Sequence, residues 1–212
     1  MFQIKVLTFN PVQENTYVLY NEYNECIIID PGCYFDEEKE ELKSFIIKSR
    51  LQPKMLLNTH CHLDHVFGNK YIAEEYKLTL QIHKKEEQLL EMAPASGLMF
   101  NLPFDNYKGE LIFLKEGDVI SLLNDKLKVI EASGHSPGSI CFYCEEQNFI
   151  IGGDVLFQNS IGRTDLPGGS HEDLVRNIKE KLFNLPPDVK VYPGHGPETT
   201  IGEEMKFNPF LI

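Results

Sequence analysis

The chain has 212 residues, 42% hydrophobic and 25% charged, with 20 basic and 32 acidic residues and a formal net charge of −12. That length fits one globular domain over residues 1–212, at most with a small appendage. No apolar run approaches the roughly 18 residues a membrane span needs, and no block of Lys and Arg offers the basic face that a nucleic-acid backbone requires, so neither a membrane nor a nucleic acid is an expected partner.

In chain order, strand-like runs cover residues 2–9, 16–20 and 26–30, and Pro31-Gly32 ends the third. Residues 37–50 predict a helix with Leu42, Phe45, Ile46 and Ser49 on one face and Asp36 as its N-cap. The apolar run 55–59 predicts a buried strand leading into HCHLDH at 60–65. A helix is expected over 66–77, a strand over 79–82 and a short charged helix over 84–91. Residues 92–108 show no clear period and carry two prolines and a glycine, which predicts an apolar loop that either lines a site or caps the core. Strands follow at 111–114, 118–122, 127–132, 139–144 and 148–152. Ser170 caps a helix carrying Leu174, Ile178 and Leu182, and residues 189–192 form a last strand. Many strands with interspersed helices in two similar halves predict two packed sheets with helices outside.

MFQIKVLTFN has no basic segment followed by an apolar one, so no export signal is read and a cytoplasmic location is expected. The odd count of five cysteines agrees with reduced thiols. Cys141 and Cys144 form a CxxC inside a strand-like run, where positions i and i+3 point to opposite faces. The spacing therefore predicts two separate buried thiols rather than a redox or metal pair.

Three of the seven histidines, His60, His62 and His65, fall within six residues together with Asp64. Imidazole and carboxylate are the usual ligands of zinc and its neighbours. On an extended backbone His60 and His62 share one side, while Asp64 and His65 follow as the chain turns, so one segment can serve two metal positions. His135 follows Ser133-Gly134, Asp154 follows Gly152-Gly153, and His195 follows Gly194, each just past an apolar strand. One such residue in a turn is commonplace; four segments ending alike point to a shared metal site. His83 and His171 fall outside the pattern.

Thr59 to His65 (THCHLDH) carries the THxHxDH signature of the metallo-β-lactamase superfamily, which the whole chain resembles. Within it the chain is similar to the glyoxalase II-like hydrolases of compact bacterial type, through ASGHSPGS at 132–139, GGDVLF at 152–157 and SIGRTDLPGG at 160–169. The resemblance implies an αββα sandwich of mixed α/β (α+β) class, and two divalent ions, zinc first, with iron or manganese as alternatives. It implies that His60, His62 and His135 hold one ion, that Asp64, His65 and His195 hold the other, and that Asp154 bridges them. Asp64 is also expected to act in catalysis on a small-molecule thioester such as S-lactoylglutathione. Arg163 falls where glyoxalase II enzymes carry a basic glutathione-contacting residue, and Asp165 where they carry a tyrosine. Only a short tail follows His195, so looser recognition of glutathione is expected. A mononuclear-iron persulfide dioxygenase of the same superfamily, or a lactonase, is the alternative activity, and the oligomeric state is left open.

Overall fold

The computed structural model describes residues 1–212. Six strands form the first sheet in sequence order: β1 (Gln3–Phe9), β2 (Glu14–Tyr20), β3 (Glu25–Ile29), β4 (Gln52–Leu57), β5 (Leu80–His83) and β6 (Leu111–Leu114). β1 to β3 are antiparallel neighbours, and β3 to β6 run parallel. The second sheet comprises β7 (Val119–Leu122), β8 (Asp125–Glu131), β9 (Ile140–Cys144), β10 (Phe149–Gly153), β13 (Lys190–Pro193) and β14 (Thr199–Thr200), in the order β14-β13-β10-β9-β8-β7. β11 (Leu156–Phe157) and β12 (Ser160–Ile161) make a separate small hairpin. Helices α1 (Asp36–Lys48), α2 (Leu63–Val66), α3 (Asn69–Tyr76) and α4 (Glu87–Met99) belong to the first half, and α5 (His171–Glu180) and α6 (Ile201–Phe207) to the second. No helix is long and apolar enough to cross a membrane.

Period-two alternation divides the apolar side chains among three cores. On β3, Cys26 and Ile28 pack with Leu42 and Ile46 of α1, Ile72 of α3 and Leu90 of α4, while Ile27 and Ile29 face the second sheet. On β9, Ile140, Phe142 and Cys144 join that inter-sheet core, while Cys141 and Tyr143 pack with Leu174 and Ile178 of α5 and Ile201 of α6. The layering is thus α, β, β, α, as the resemblance implies, and the two CxxC thiols lie in different cores. All five cysteines are free and buried, and burial pushes the Cys141 thiol up to about 12.

Three local expectations need correction. The N-cap of α1 is Phe35, and Glu38 reaches back to accept from the backbone N–H groups of Tyr34 and Phe35. The chain between β4 and β5 forms two short helices, α2 and α3, broken at Gly68, where an added Cβ would lie 2.5 Å from Cys33 Sγ. Residues 92–99 are helical, as the end of α4, although Pro94 and Gly97 look like breakers. Pro94 cannot donate to the Leu90 carbonyl, and the Asn106 side-chain amide donates to it instead. Gly97 leaves room for the returning segment: an added Cβ would lie 2.6 Å from the Leu102 carbonyl oxygen. The apolar period is blurred because the helix is used on two faces, with Leu90 and Ala93 in the core, Leu89 packed against it at the cleft and Met92 along the cleft.

Asn106→Ala would leave the Leu90 carbonyl buried without a partner, a cost of about 1–3 kcal/mol. Urea unfolding should show a loss of that size; an unchanged midpoint would mean that the helix does not need this replacement donor.

Candidate metal centre

β8, β10 and β13 run in the same direction, so their C-terminal ends reach one edge, where β4 of the other sheet also ends. Every proposed ligand lies just beyond one of these ends. Two glycines let the segments close together. Gly153 adopts φ +51°, and an added Cβ would lie 2.4 Å from Thr59 Oγ1; a Cβ on Gly194 would lie 2.1 Å from Asp154 Oδ1.

All seven predicted ligands are brought together. His62 Nδ1 lies 2.8 Å from His135 Nε2, which lies 3.2 Å from His60 Nε2. Across from this trio, His195 Nε2 lies 3.1 Å from Asp64 Oδ2, and His65 Nε2 lies 3.7 Å from the same oxygen. Asp154 stands between the two groups: Oδ2 is 3.5 Å from His135 Nε2 and 3.5 Å from His195 Nε2, and Oδ1 is 3.5 Å from His65 Nε2.

Both groups fit a cation. Two nitrogens each about 2.0–2.1 Å from one tetrahedral ion stand roughly 3.3 Å apart, close to the spacings of the first trio. His65 Nε2 and Asp154 Oδ1 are buried without any hydrogen-bond partner, although both point into the cluster. Buried polar atoms left this way are costly unless something coordinates them.

The electrostatics divide along the same line. Burial, then the neighbouring imidazoles, holds His60 well below the usual histidine range, and the same causes bring His62 down to about 4. Burial also lowers His135. The trio is therefore neutral, with lone pairs available to a metal. In the second group burial opposes charge, but the carboxylates of Asp154 and Asp64 outweigh it and raise His65; the imidazoles in turn hold both carboxyls below their usual range. His195 is raised as well, its bond to Asp64 outweighing burial, so this group pairs ionised carboxylates with imidazoles drawn toward protonation, and a divalent cation would take the place of those protons.

The outer nitrogens are fixed by the scaffold. His135 Nδ1 lies 2.7 Å from the Arg163 carbonyl, His195 Nδ1 lies 3.2 Å from the Gln13 carbonyl, and His60 Nδ1 lies 3.1 Å from Thr59 Oγ1. His65 Nδ1 lies 3.1 Å from Asp30 Oδ2. Asp30 follows β3 in a left-handed conformation, φ +49°, and also accepts from the Thr59 backbone N–H and hydroxyl and the Asn58 amide. Asp30, His60 and His65 could themselves form a ligand group, but the existing bonds to Asp30 suit a residue that orients His65.

Sequence reasoning missed Asp30, Glu86 and Glu14. Asp30 follows a strand and precedes Pro31, which reads as an ordinary turn. Glu86 is buried and accepts from the Cys61 and Gly138 backbone N–H groups and the Ser136 hydroxyl, tying the HCHLDH loop to the His135 loop. Glu14 is fully buried, with Oε1 3.9 Å from His65 Nδ1, and burial raises its carboxyl well above the usual range. The one available signal is that Glu14 lies beside an apolar strand. Arg163 lines the same cleft, but its guanidinium is paired with Asp165 through two contacts of 2.7 Å. That pair holds the Asp165 carboxyl down at about 2.

With this fold and this edge in view, the chain belongs to the metallo-β-lactamase superfamily, whose family model matches residues 9–195. It is a hydrolase-type enzyme of that superfamily. Hydroxyacylglutathione hydrolase GloC of Haemophilus influenzae is 35% identical to it over 210 residues, 98% of this chain and 97% of that protein. The crystal structure of the BLEG-1 B3 metallo-beta-lactamase superposes with a TM-score of 0.91 at 38% identity, covering 99% of both chains. TTHA1623, solved in a di-iron-bound form, superposes with a TM-score of 0.88 at 35% identity, covering 98% of this chain and 100% of that one.

If Asp30 orients His65, Asp30→Asn should weaken metal binding tenfold to a hundredfold while the protein stays folded. Chelator competition, with circular dichroism as the folding check, measures this; unchanged affinity would show that the other contacts position His65 unaided.

Proposed function

We propose that the protein is a binuclear metal-dependent hydrolase of thioesters such as S-lactoylglutathione. The observation that carries this is the position of Asp154, whose carboxylate oxygens face both the neutral trio, His60, His62 and His135, and the carboxylate-imidazole group, Asp64, His65 and His195. We assign the trio to one divalent ion, the second group to another, and Asp154 to both, with zinc as the expected metal. When bound, such a pair supplies Lewis acidity toward the scissile carbonyl and lowers the pKa of a water from 15.7 toward about 7.

The chain's own residues do the rest. Asp64 Oδ2, 3.1 Å from His195 Nε2, is fixed at the base of the cleft, where it orients the attacking water and takes its proton. Water oxygen bonds to the carbonyl carbon, the C–S bond breaks, and the sulfur leaves as thiolate. A thiolate needs no proton donor to leave. Apart from the ligand cluster, the polar side chains lining the cleft are Ser96 and Arg163, neither suited to general acid work at neutral pH. This favours a thioester over an amide-like bond. β-Lactam hydrolysis is the second reading, favoured by the likeness to BLEG-1.

Metal analysis of the replete protein should give close to two ions per chain, and a panel of thioesters, lactones, β-lactams and glutathione persulfide should show thioester hydrolysis dominant. A single iron with oxygen uptake on the persulfide would replace this reading with the dioxygenase one. Asp154→Asn should lower occupancy at both positions; near-normal metal content and turnover in that variant would defeat the assignment.

Arg163 contributes little to glutathione thioesters while Asp165 neutralises it. Asp165→Asn should therefore lower the KM for S-lactoylglutathione by roughly two- to fivefold, in the range of an exposed ion pair gained. Steady-state kinetics would show no such fall if Arg163 never reaches the substrate.

A further inference from the structure

Above the ligand cluster lies a groove of about 570 Å³, within the range of small-molecule sites. His62, Asp64, His135, Asp154 and His195 line its base. Leu89, Met92, Ala93 and Ser96 also line it, putting one face of α4 along one wall, and Phe100 follows just past the helix. Phe157 of β11 and the Leu166-Pro167 segment contribute further apolar surface, as does Val12 from the turn between β1 and β2.

Two features of this lining bear on what it holds. Outside the cluster the one charged side chain is Arg163, and Asp165 already occupies it. Away from the ligand cluster, an anionic group of the ligand would exchange water for apolar surface without gaining a free cation, which is unfavourable. Moreover, Val12 is 51% exposed, Met92 47% and Phe100 63%, so apolar side chains gather at the mouth of a polar site on a chain of net charge −12. Grouped exposed apolar residues around a cleft mark a surface that a ligand covers.

Building on the thioesterase reading above, we propose that this groove binds an uncharged aliphatic or aromatic arm of the substrate. The preferred substrates are thus thioesters of apolar acids or apolar thiols, ahead of the charged glutathione thioesters. The arm lies along α4 while the scissile carbonyl rests on the cluster at the base. Each methylene withdrawn from water into the groove raises kcat/KM roughly fourfold, the equivalent of about 0.8 kcal/mol.

Two substrate series on the metal-loaded enzyme distinguish the acyl side from the thiol side. One runs from acetyl to octanoyl on the uncharged thiol N-acetylcysteamine. The other holds the acetyl group constant on thiols from ethanethiol to hexanethiol, with acetylglutathione beside them. A rise of roughly fourfold per methylene over at least three methylenes in one series is expected, and that series identifies the arm. Flat or falling rates in both series, or a preference above tenfold for acetylglutathione over the uncharged thiols, would overturn the proposal. A measurement without turnover separates the two readings. The neutral fluorophore N-phenyl-1-naphthylamine should bind with enhanced emission, and Met92→Glu, on the half-exposed wall, should weaken that binding at least fivefold. If no thioester is cleaved but the fluorophore binds and Met92→Glu releases it, the thioesterase reading fails and the groove assignment stands. Thioester hydrolysis with flat series and no fluorophore binding removes the groove assignment alone.

Discussion

Burying three neutral imidazoles against a group of two carboxylates and two further imidazoles, at the edge of two apolar sheets, is the constraint on which the rest of this structure depends. Such a cluster is tolerable only if each polar atom has a partner and the charges are compensated. The scaffold meets the first condition from outside. Backbone carbonyls of Gln13 and Arg163, the Thr59 hydroxyl and the Asp30 carboxylate each face one outer imidazole nitrogen. The inward atoms, His65 Nε2 and Asp154 Oδ1 among them, are left to a cation. Strain is accepted on the outer side to keep this geometry, as at Asp30 with its φ of +49°.

The same constraint explains why loops far apart in sequence are tied together. Glu86 precedes α4 yet joins the loops that carry His62 and His135 through three hydrogen bonds. α4 is therefore anchored to the cluster at its N-terminal end, while its outer face runs along the groove. The helix that walls the cleft and the loops that shape the centre are held by one buried carboxylate. A shift in one is felt in the other because buried hydrogen bonds allow little slack.

Charge around the cleft is arranged unevenly. The chain is acidic overall, and the cleft's single arginine is already paired. What remains for recognition is chiefly shape and apolar area. Such contacts discriminate poorly between similar substrates, since each methylene changes affinity only a few-fold. Polar recognition would need groups that this cleft does not present.

The sequence by itself determined the superfamily signature, the αββα order and all seven residues of the cluster. HCHLDH places four donors in six residues, and the other three follow glycine-marked strand ends, so local chain geometry suffices to reveal them. It also determined the separation of Cys141 and Cys144, because strand alternation is a local rule. Only the tertiary structure decided how the cluster is supported and how the cleft is walled. Asp30 and Glu86 look like ordinary turn and surface acids until distant backbone groups reach them, across 29 residues to Thr59 and 52 to Gly138. Residues 92–99 read as a loop because Pro94 removes a helical donor and Gly97 lowers propensity. The helix survives because Asn106 and the Leu102 backbone, brought back over it, supply what the local sequence lacks. Arg163 and Asp165 stand two residues apart in the sequence, and it is the path of an exposed loop that pairs them.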